Sequence, residues 1–100
     1  MAIIAISSAP ERGMYDRVSA ALDLRDRPVA GLLLHAAGQL DNGEVTIVQV
    51  FESAEAMAEF QETRLFPTFE SAGVPMDLER APQPVQAFEL VVGAAQGVAP

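Results

Sequence analysis

Val29-Ala-Gly-Leu-Leu-Leu-His35-Ala-Ala-Gly-Gln-Leu40, Asp41-Asn42-Gly43 and Glu44-Val-Thr-Ile-Val-Gln-Val-Phe-Glu52 lie next to one another in the chain. Two apolar runs flanking Asn-Gly are a strong hairpin signal, because both turn residues accept positive φ. Neither run alternates cleanly: Leu32, Leu33 and Leu34 are consecutive, and Val45, Ile47, Val48, Val50 and Phe51 leave few gaps. Strands apolar on both sides are covered on both sides. The turn leaves two registers open. A two-residue Asn42-Gly43 loop sets His35 opposite Val50, whereas a three-residue Asp41-Asn42-Gly43 loop with Gly43 as a bulge sets it opposite Gln49. The second gives a buried imidazole a side-chain partner, and polar satisfaction favours it.

Outward from the hairpin, the chain reads as one further strand and one helix on each side. Ala2 to Ile6 is a short β-branched run bounded by Ser7-Ser8-Ala9-Pro10, a buried strand. Ser8 with Glu11 has the spacing of a capping box, and Pro10 is tolerated in a first helical turn. Met14, Val18, Ala21 and Leu22 then recur at helical spacing, predicting an amphipathic helix that ends before Pro28. After the hairpin, Ser53 is a good N-cap for a helix over Ala54 to Leu65, with Met57, Phe60 and Leu65 inward and Glu55, Glu59 and Glu62 outward. Pro67 must break or kink it, and a further turn from Thr68 closes at Gly73. Pro75, Pro82 and Pro84 mark an irregular connection, Val85 to Val92 reads as the last strand, and 93–100 as an Ala/Gly-rich tail.

The order βαββαβ predicts a single α+β ferredoxin-like domain over 1–92, a four-stranded antiparallel sheet with both helices on one face. Two helices cover one face, and nothing in the chain is left for the other. A bare apolar face of that size calls for a second copy, a homodimer through the helix-free side.

The composition narrows the function. The 100 residues hold 14 Asp and Glu against 6 Arg, with no Lys, for a net charge of −8. Nucleic acid and anionic membranes repel such a surface, so neither is expected as a partner. No run approaches the ~20 apolar residues that span a bilayer and no signal-peptide pattern opens the chain, so a cytoplasmic protein is expected. Cys is absent and His35 is the only histidine, so no metal site is expected. There is no G-x-G-x-x-G, P-loop or G-x-S-x-G, so the sequence predicts no cofactor.

Pro28 to Gly38, Val48-Gln-Val-Phe-Glu-Ser53 and Arg64-Leu-Phe-Pro67 resemble small bacterial proteins of the dimeric α+β barrel superfamily, close to the antibiotic-biosynthesis monooxygenase-like group. The match runs from about Tyr15 to Val91. The resemblance implies a homodimer whose sheets pack face to face, each subunit keeping a pocket between sheet and helices. It also implies an activity drawn from cofactor-free oxygenases and polyketide cyclases. Haem degraders of this fold rely on a Trp, an Asn and a helical His; this chain has no Trp, its one Asn is in the turn and its His is on a strand. In the group the position of Gln49 is often acidic and that of Phe51 often Trp, so a carboxylate base there is missing.

His35 and Tyr15 are the catalytic candidates. An imidazole titrates near neutral pH and can act as a general base, and a phenol can relay a proton. The plainer readings are a hydrogen-bonded core histidine and a tyrosine packed at a helix edge. Gln49, Phe51, Leu33, Phe60 and Arg64 are the candidate ligand-binding residues. Arg64 equally suits the end of a helix, where a cation meets the dipole. Phe60, Phe66, Phe69 and Phe88 read as core or pocket wall. Two functions fit: a cofactor-independent oxygenase or cyclase on a small apolar, polyketide-like or aromatic substrate, with His35 moving a proton, or a non-catalytic ligand-binding or interaction homodimer.

Overall fold

The computed structural model describes residues 1–91; the 93–100 tail lies outside them. The sheet has the order β2-β3-β1-β4, with β1 Ile3–Ala9, β2 Leu32–Gln39, β3 Val45–Phe51 and β4 Gln83–Gln86, every neighbouring pair antiparallel. Helix α1 (Arg12–Leu22) joins β1 to β2, and a helical run after β3 leads back to β4. This is the ferredoxin-like arrangement that the element order predicts.

The hairpin fixes the sheet. Leu40 N–H donates to Glu44 O at 2.8 Å, Gly43 N–H donates to Leu40 O at 2.9 Å, and Gly43 has φ 91°. These are the bonds of a three-residue loop closed by a glycine bulge, and His35 pairs with Gln49. A second irregularity at Leu33 lets Leu32 oppose Phe51 while Leu34 opposes Val50. Leu32 thereby turns inward and Leu34 outward, which is how three consecutive leucines are accommodated.

Alternation then sorts β3. Phe51, with Ile3 and Ala5 of β1, lies in a core closed by Val18, Leu22, Met57, Phe60 and Val74, and the Phe51 and Phe60 rings meet at 5.5 Å. Ile4 and Ile6 of β1 pair with Val50 and Val48, Leu34 and Ala36 of β2 pair with the same two residues, and Val85 pairs with Ile4. These seven side chains form the helix-free face, where Ile6, Leu34 and Val85 are exposed.

Three local expectations are corrected. No capping box forms: β1 runs on to Ala9, so Ser8 sits in the sheet opposite Thr46 and the N-cap is Glu11, without a side-chain bond. Among the described residues the last strand is Gln83–Gln86 rather than a strand running on from Val85, because Gln86 pairs with Ile3, where β1 begins, and β4 has no partner strand beyond it; Val92 lies outside the described residues. Pro84 is tolerated there because an edge strand need not donate on both sides. Phe88 accordingly lies past the strand and is 98% exposed, not core.

The second helix behaves more subtly than a break. Ser53 caps α2 (Ala54–Phe60), accepting from Ala56 N at 3.1 Å. A π-helical turn, Gln61–Leu65, then carries the chain into α3 (Phe66–Ala72). A π-turn is one of the few ways a helix absorbs a proline's missing donor without ending. Gly73, with φ 69°, closes α3.

Gly31 and Gly43 separate two costs. Both have positive φ, but a Cβ on Gly31 would stand 2.7 Å from Ala56 Cβ, whereas one on Gly43 meets nothing within 4 Å. Gly43→Ala should cost about 1–2 kcal/mol from backbone strain alone. Gly31→Ala adds a clash between strand loop and helix and should cost about 3 kcal/mol or more. Urea unfolding of the two variants measures the difference; equal losses would contradict the close approach.

Candidate functional site

Where α1 crosses β2, the first turns of the helix bring Tyr15 over the sheet. Tyr15 Oη lies 2.8 Å from His35 Nε2, and the two rings stack with centroids 6.2 Å apart and planes 20° from parallel. On the far side of the imidazole, Gln49 Nε2 lies 3.1 Å from Nδ1. The bulged hairpin register creates this second contact, since His35 and Gln49 are direct cross-strand partners. The result is a three-residue line, Tyr15–His35–Gln49, with Gln49 itself buried.

Both partners of the imidazole are neutral, which constrains its proton. With the amide nitrogen of Gln49 donating to Nδ1, the ring hydrogen sits on Nε2 and donates to Tyr15 Oη. With the amide turned, Oε1 accepts from Nδ1–H and Nε2 accepts the phenol hydrogen. Either arrangement suits a neutral ring, so a proton can pass along the line by exchange of tautomers. Burial pushes the His35 pKa below its ordinary 6.5, because desolvation penalises the imidazolium.

The line forms one wall of a pocket of about 110 Å³ between α1, the sheet and α3, with Met14, Val18, Leu65 and Phe69 among its apolar lining. A more open groove borders the other flank of Tyr15 and His35 and is lined by Leu33 and Leu34. The line thus stands between an apolar interior and a solvent-facing groove.

Of the residues singled out from sequence, Tyr15, His35 and Gln49 come together at the pocket. The other four do not line it. Phe51 and Phe60 are packed into the core, each 1% exposed. Leu33 is the irregular residue of β2 and faces the outer groove. Arg64 Nη2 donates to Leu22 O at 2.9 Å and to Arg27 O at 2.8 Å, tying down carbonyls at the end of α1 and in the loop beyond. The reading of Arg64 as a cation at the end of its own helix is corrected: the helical run continues through the π-turn into α3, and the guanidinium serves carbonyls at the end of α1 instead. Sequence reasoning missed Arg80, which lines the pocket. Nothing local could have found it, because its partners Ser8 and Glu44 are 72 and 36 positions away.

No protein-family model and no curated protein sequence matches the chain. Solved structures do. The Rv0793 protein of Mycobacterium tuberculosis superposes with TM-score 0.68 at 15% identity, over 92% of this chain and 100% of that one. A protein of Bacteroides thetaiotaomicron described as a candidate antibiotic biosynthesis monooxygenase gives TM-score 0.60 at 18% identity, covering 95% of each chain. One of Deinococcus radiodurans with the same description gives 0.58 at 17% identity, over 92% of this chain and 97% of that one. The fold is the one these proteins share. The resemblance drawn from sequence to the antibiotic-biosynthesis monooxygenase-like group therefore holds at the level of fold.

The single histidine makes the site directly measurable. NMR titration should place the His35 pKa below 6.5. The unfolded chain then binds the proton more readily, so this group's contribution to stability is full above pH 6.5, falls as pH drops through the folded pKa, and levels off below it. Gln49→Glu would put a carboxylate against Nδ1 and should raise the pKa above that of the parent protein. An unshifted histidine in both proteins would contradict a desolvated ring paired to residue 49.

Proposed function

We propose that the protein binds a small, largely apolar molecule in the pocket beside Tyr15 and takes a proton from it through the Tyr15–His35–Gln49 line. It would act as a cofactor-independent oxygenase or cyclase on a polyketide-like or other small aromatic substrate. The observation that carries this reading is a doubly hydrogen-bonded imidazole, its pKa lowered by burial, in the wall of an otherwise apolar pocket. An imidazole held below its ordinary pKa is largely unprotonated at pH 7 and free to accept a proton from an acidic hydroxyl or enol. Tyr15 Oη, facing the pocket, passes the ligand's proton to Nε2; Gln49 Oε1 then accepts from Nδ1–H and steadies the imidazolium. The apolar walls keep the resulting anion from water. In the oxygenase branch that anion, itself the two-electron reductant, adds dioxygen, and the peroxide takes back the proton and loses water to leave a new carbonyl; in the cyclase branch it attacks a carbonyl of its own chain and the proton returns to the alkoxide formed. The candidate monooxygenases of the same fold support this class of chemistry over others.

The working unit in this reading is a homodimer through the helix-free face. Ile4, Ile6, Leu34, Ala36, Val48, Val50 and Val85 lie there side by side, and a monomer would leave all but Val50 wholly or partly to water. A dimer burying about 1,600 Å² in total would be an ordinary stable interface. Light scattering should give twice the 10.6 kDa chain mass, and Val48→Asp should halve it or unfold the protein. A monomer at micromolar concentration would refute the assembly.

For the chemistry, enolisable aromatic ketones and quinols are incubated with the protein in air and the products followed by mass spectrometry. His35→Ala should lower turnover by about 10²-fold or more, and Tyr15→Phe should lower it less while leaving ligand affinity nearly intact. Ligand binding with no turnover above background in the parent protein would favour the non-catalytic binding dimer instead.

A further inference from the structure

Between α3 and β4 the chain crosses the pocket as a strap, residues 75–82. Pro75, Met76, Asp77, Arg80, Ala81 and Pro82 line the cavity from this side, while Leu78 points outward, 79% exposed. The strap's backbone bonds are local: Glu79 N–H donates to Asp77 Oδ1, Arg80 N–H to Asp77 O, and Ala81 N–H to Leu78 O. Apart from a 3.5 Å bond from the adjoining Gln83 to Ala81 O, its hydrogen bonds to the rest of the described residues are both made by one side chain. Arg80 Nη1 donates to Ser8 Oγ at 3.2 Å and Nη2 to Glu44 Oε1 at 3.1 Å, with Asp77 Oδ2 3.6 Å from Nε. At its upstream end the strap hangs from Gly73, in the left-handed conformation at φ 69°, followed by Val74, whose side chain is anchored in the core. Downstream it is held only where Gln83 enters the sheet.

A guanidinium between two carboxylates is poorly placed to attract an anionic ligand, since its charge is already more than balanced. It is well placed as a fastener. We propose that residues 75–82 form a gate over the pocket, latched by Arg80 to Ser8 of β1 and Glu44 of the hairpin, so that breaking this contact admits the ligand. The inference rests on the pocket being the binding site. Arg80 and Glu44 side chains are 27% and 38% exposed, so salt reaches the latch and weakens it. A segment held by so few bonds opens locally without unfolding the sheet.

The test compares the parent protein with Arg80→Met and Glu44→Gln in two ways. Amide hydrogen exchange at Glu79, Arg80 and Ala81 should quicken about fivefold in both variants, with the sheet amides of Ala5 and Val50 unchanged as a check on folding. Indole, a neutral apolar fluorophore visible because the chain has no Trp, then reports admission. Its association should quicken by a similar factor, rising with salt in the parent protein and not in Arg80→Met. Methyl shifts at Met14 and Met76, but not at core Met57, locate it in the pocket. Strap amides that exchange alike in all three proteins overturn the latch. Faster exchange with unchanged indole kinetics overturns the gate. Indole that moves neither Met14 nor Met76 in any protein overturns the pocket reading and the gate with it, while the exchange rates still decide whether the strap is latched.

Discussion

The register of the β2–β3 hairpin is the constraint on which the rest depends. Gly43 at φ 91° and the bonds that Leu40 makes with Glu44 O and Gly43 N–H fix where each strand begins. A slip of one residue would exchange the two faces of a strand. His35 would lose Gln49 for Val50, and polar groups would enter the helix-free face. One positive-φ glycine therefore sets the chemistry of the pocket and the character of the opposite surface together. The second irregularity, at Leu33, corrects the phase at the other end of β2, so that Leu32 still reaches the core beside Phe51.

The pocket is a consequence of how little material covers the sheet. α1 and the α2–π–α3 run meet the strands over a core anchored by Phe51 and Phe60, which fill the space beneath α2. Toward the hairpin end the covering residues are Met14, Tyr15, Leu65 and Phe69, and they stop short of closing the gap. The π-turn matters here. Each extra residue it inserts rotates the following helix by roughly 100° relative to an unbroken one. That rotation brings Phe69 to the pocket and leaves Phe66 outward, 42% exposed. Arg64, within the same turn, ties this run to the end of α1.

What the sequence made legible was local or periodic. Asn42-Gly43 and polar satisfaction together favoured the bulged loop, and with it the His35–Gln49 pair. Ser53 and Gly73 marked the two ends of the second helical run. The misses are all cases where a distant partner decides. Ser8 and Glu11 have capping-box spacing, yet pairing with Thr46 holds Ser8 in the sheet. Val85 to Val92 has the β-rich composition of a strand, yet pairing ends at Gln86. Tyr15 looked like a helix-edge residue because the twenty positions between it and His35 hide their meeting. Phe51 and Phe60, candidate ligand contacts by sequence, are core residues in the structure, since aromatic composition does not distinguish a filled space from an empty one.

The identity of residue 49 sets the electrostatics around His35. A carboxylate at Nδ1 would stabilise the imidazolium and compete with burial, leaving the ring partly charged near neutrality and unable to accept a further proton. An amide satisfies the same nitrogen without charge, in either orientation, so desolvation acts unopposed and holds the imidazole's pKa below its ordinary value. The chain's net charge of −8 pulls in the opposite direction, but surface carboxylates beyond about 8–10 Å are largely screened at physiological salt. Local neutrality outweighs global acidity. With a glutamine at position 49 the imidazole meets no carboxylate on β3, and Tyr15, on its other nitrogen, stands between the ring and the pocket.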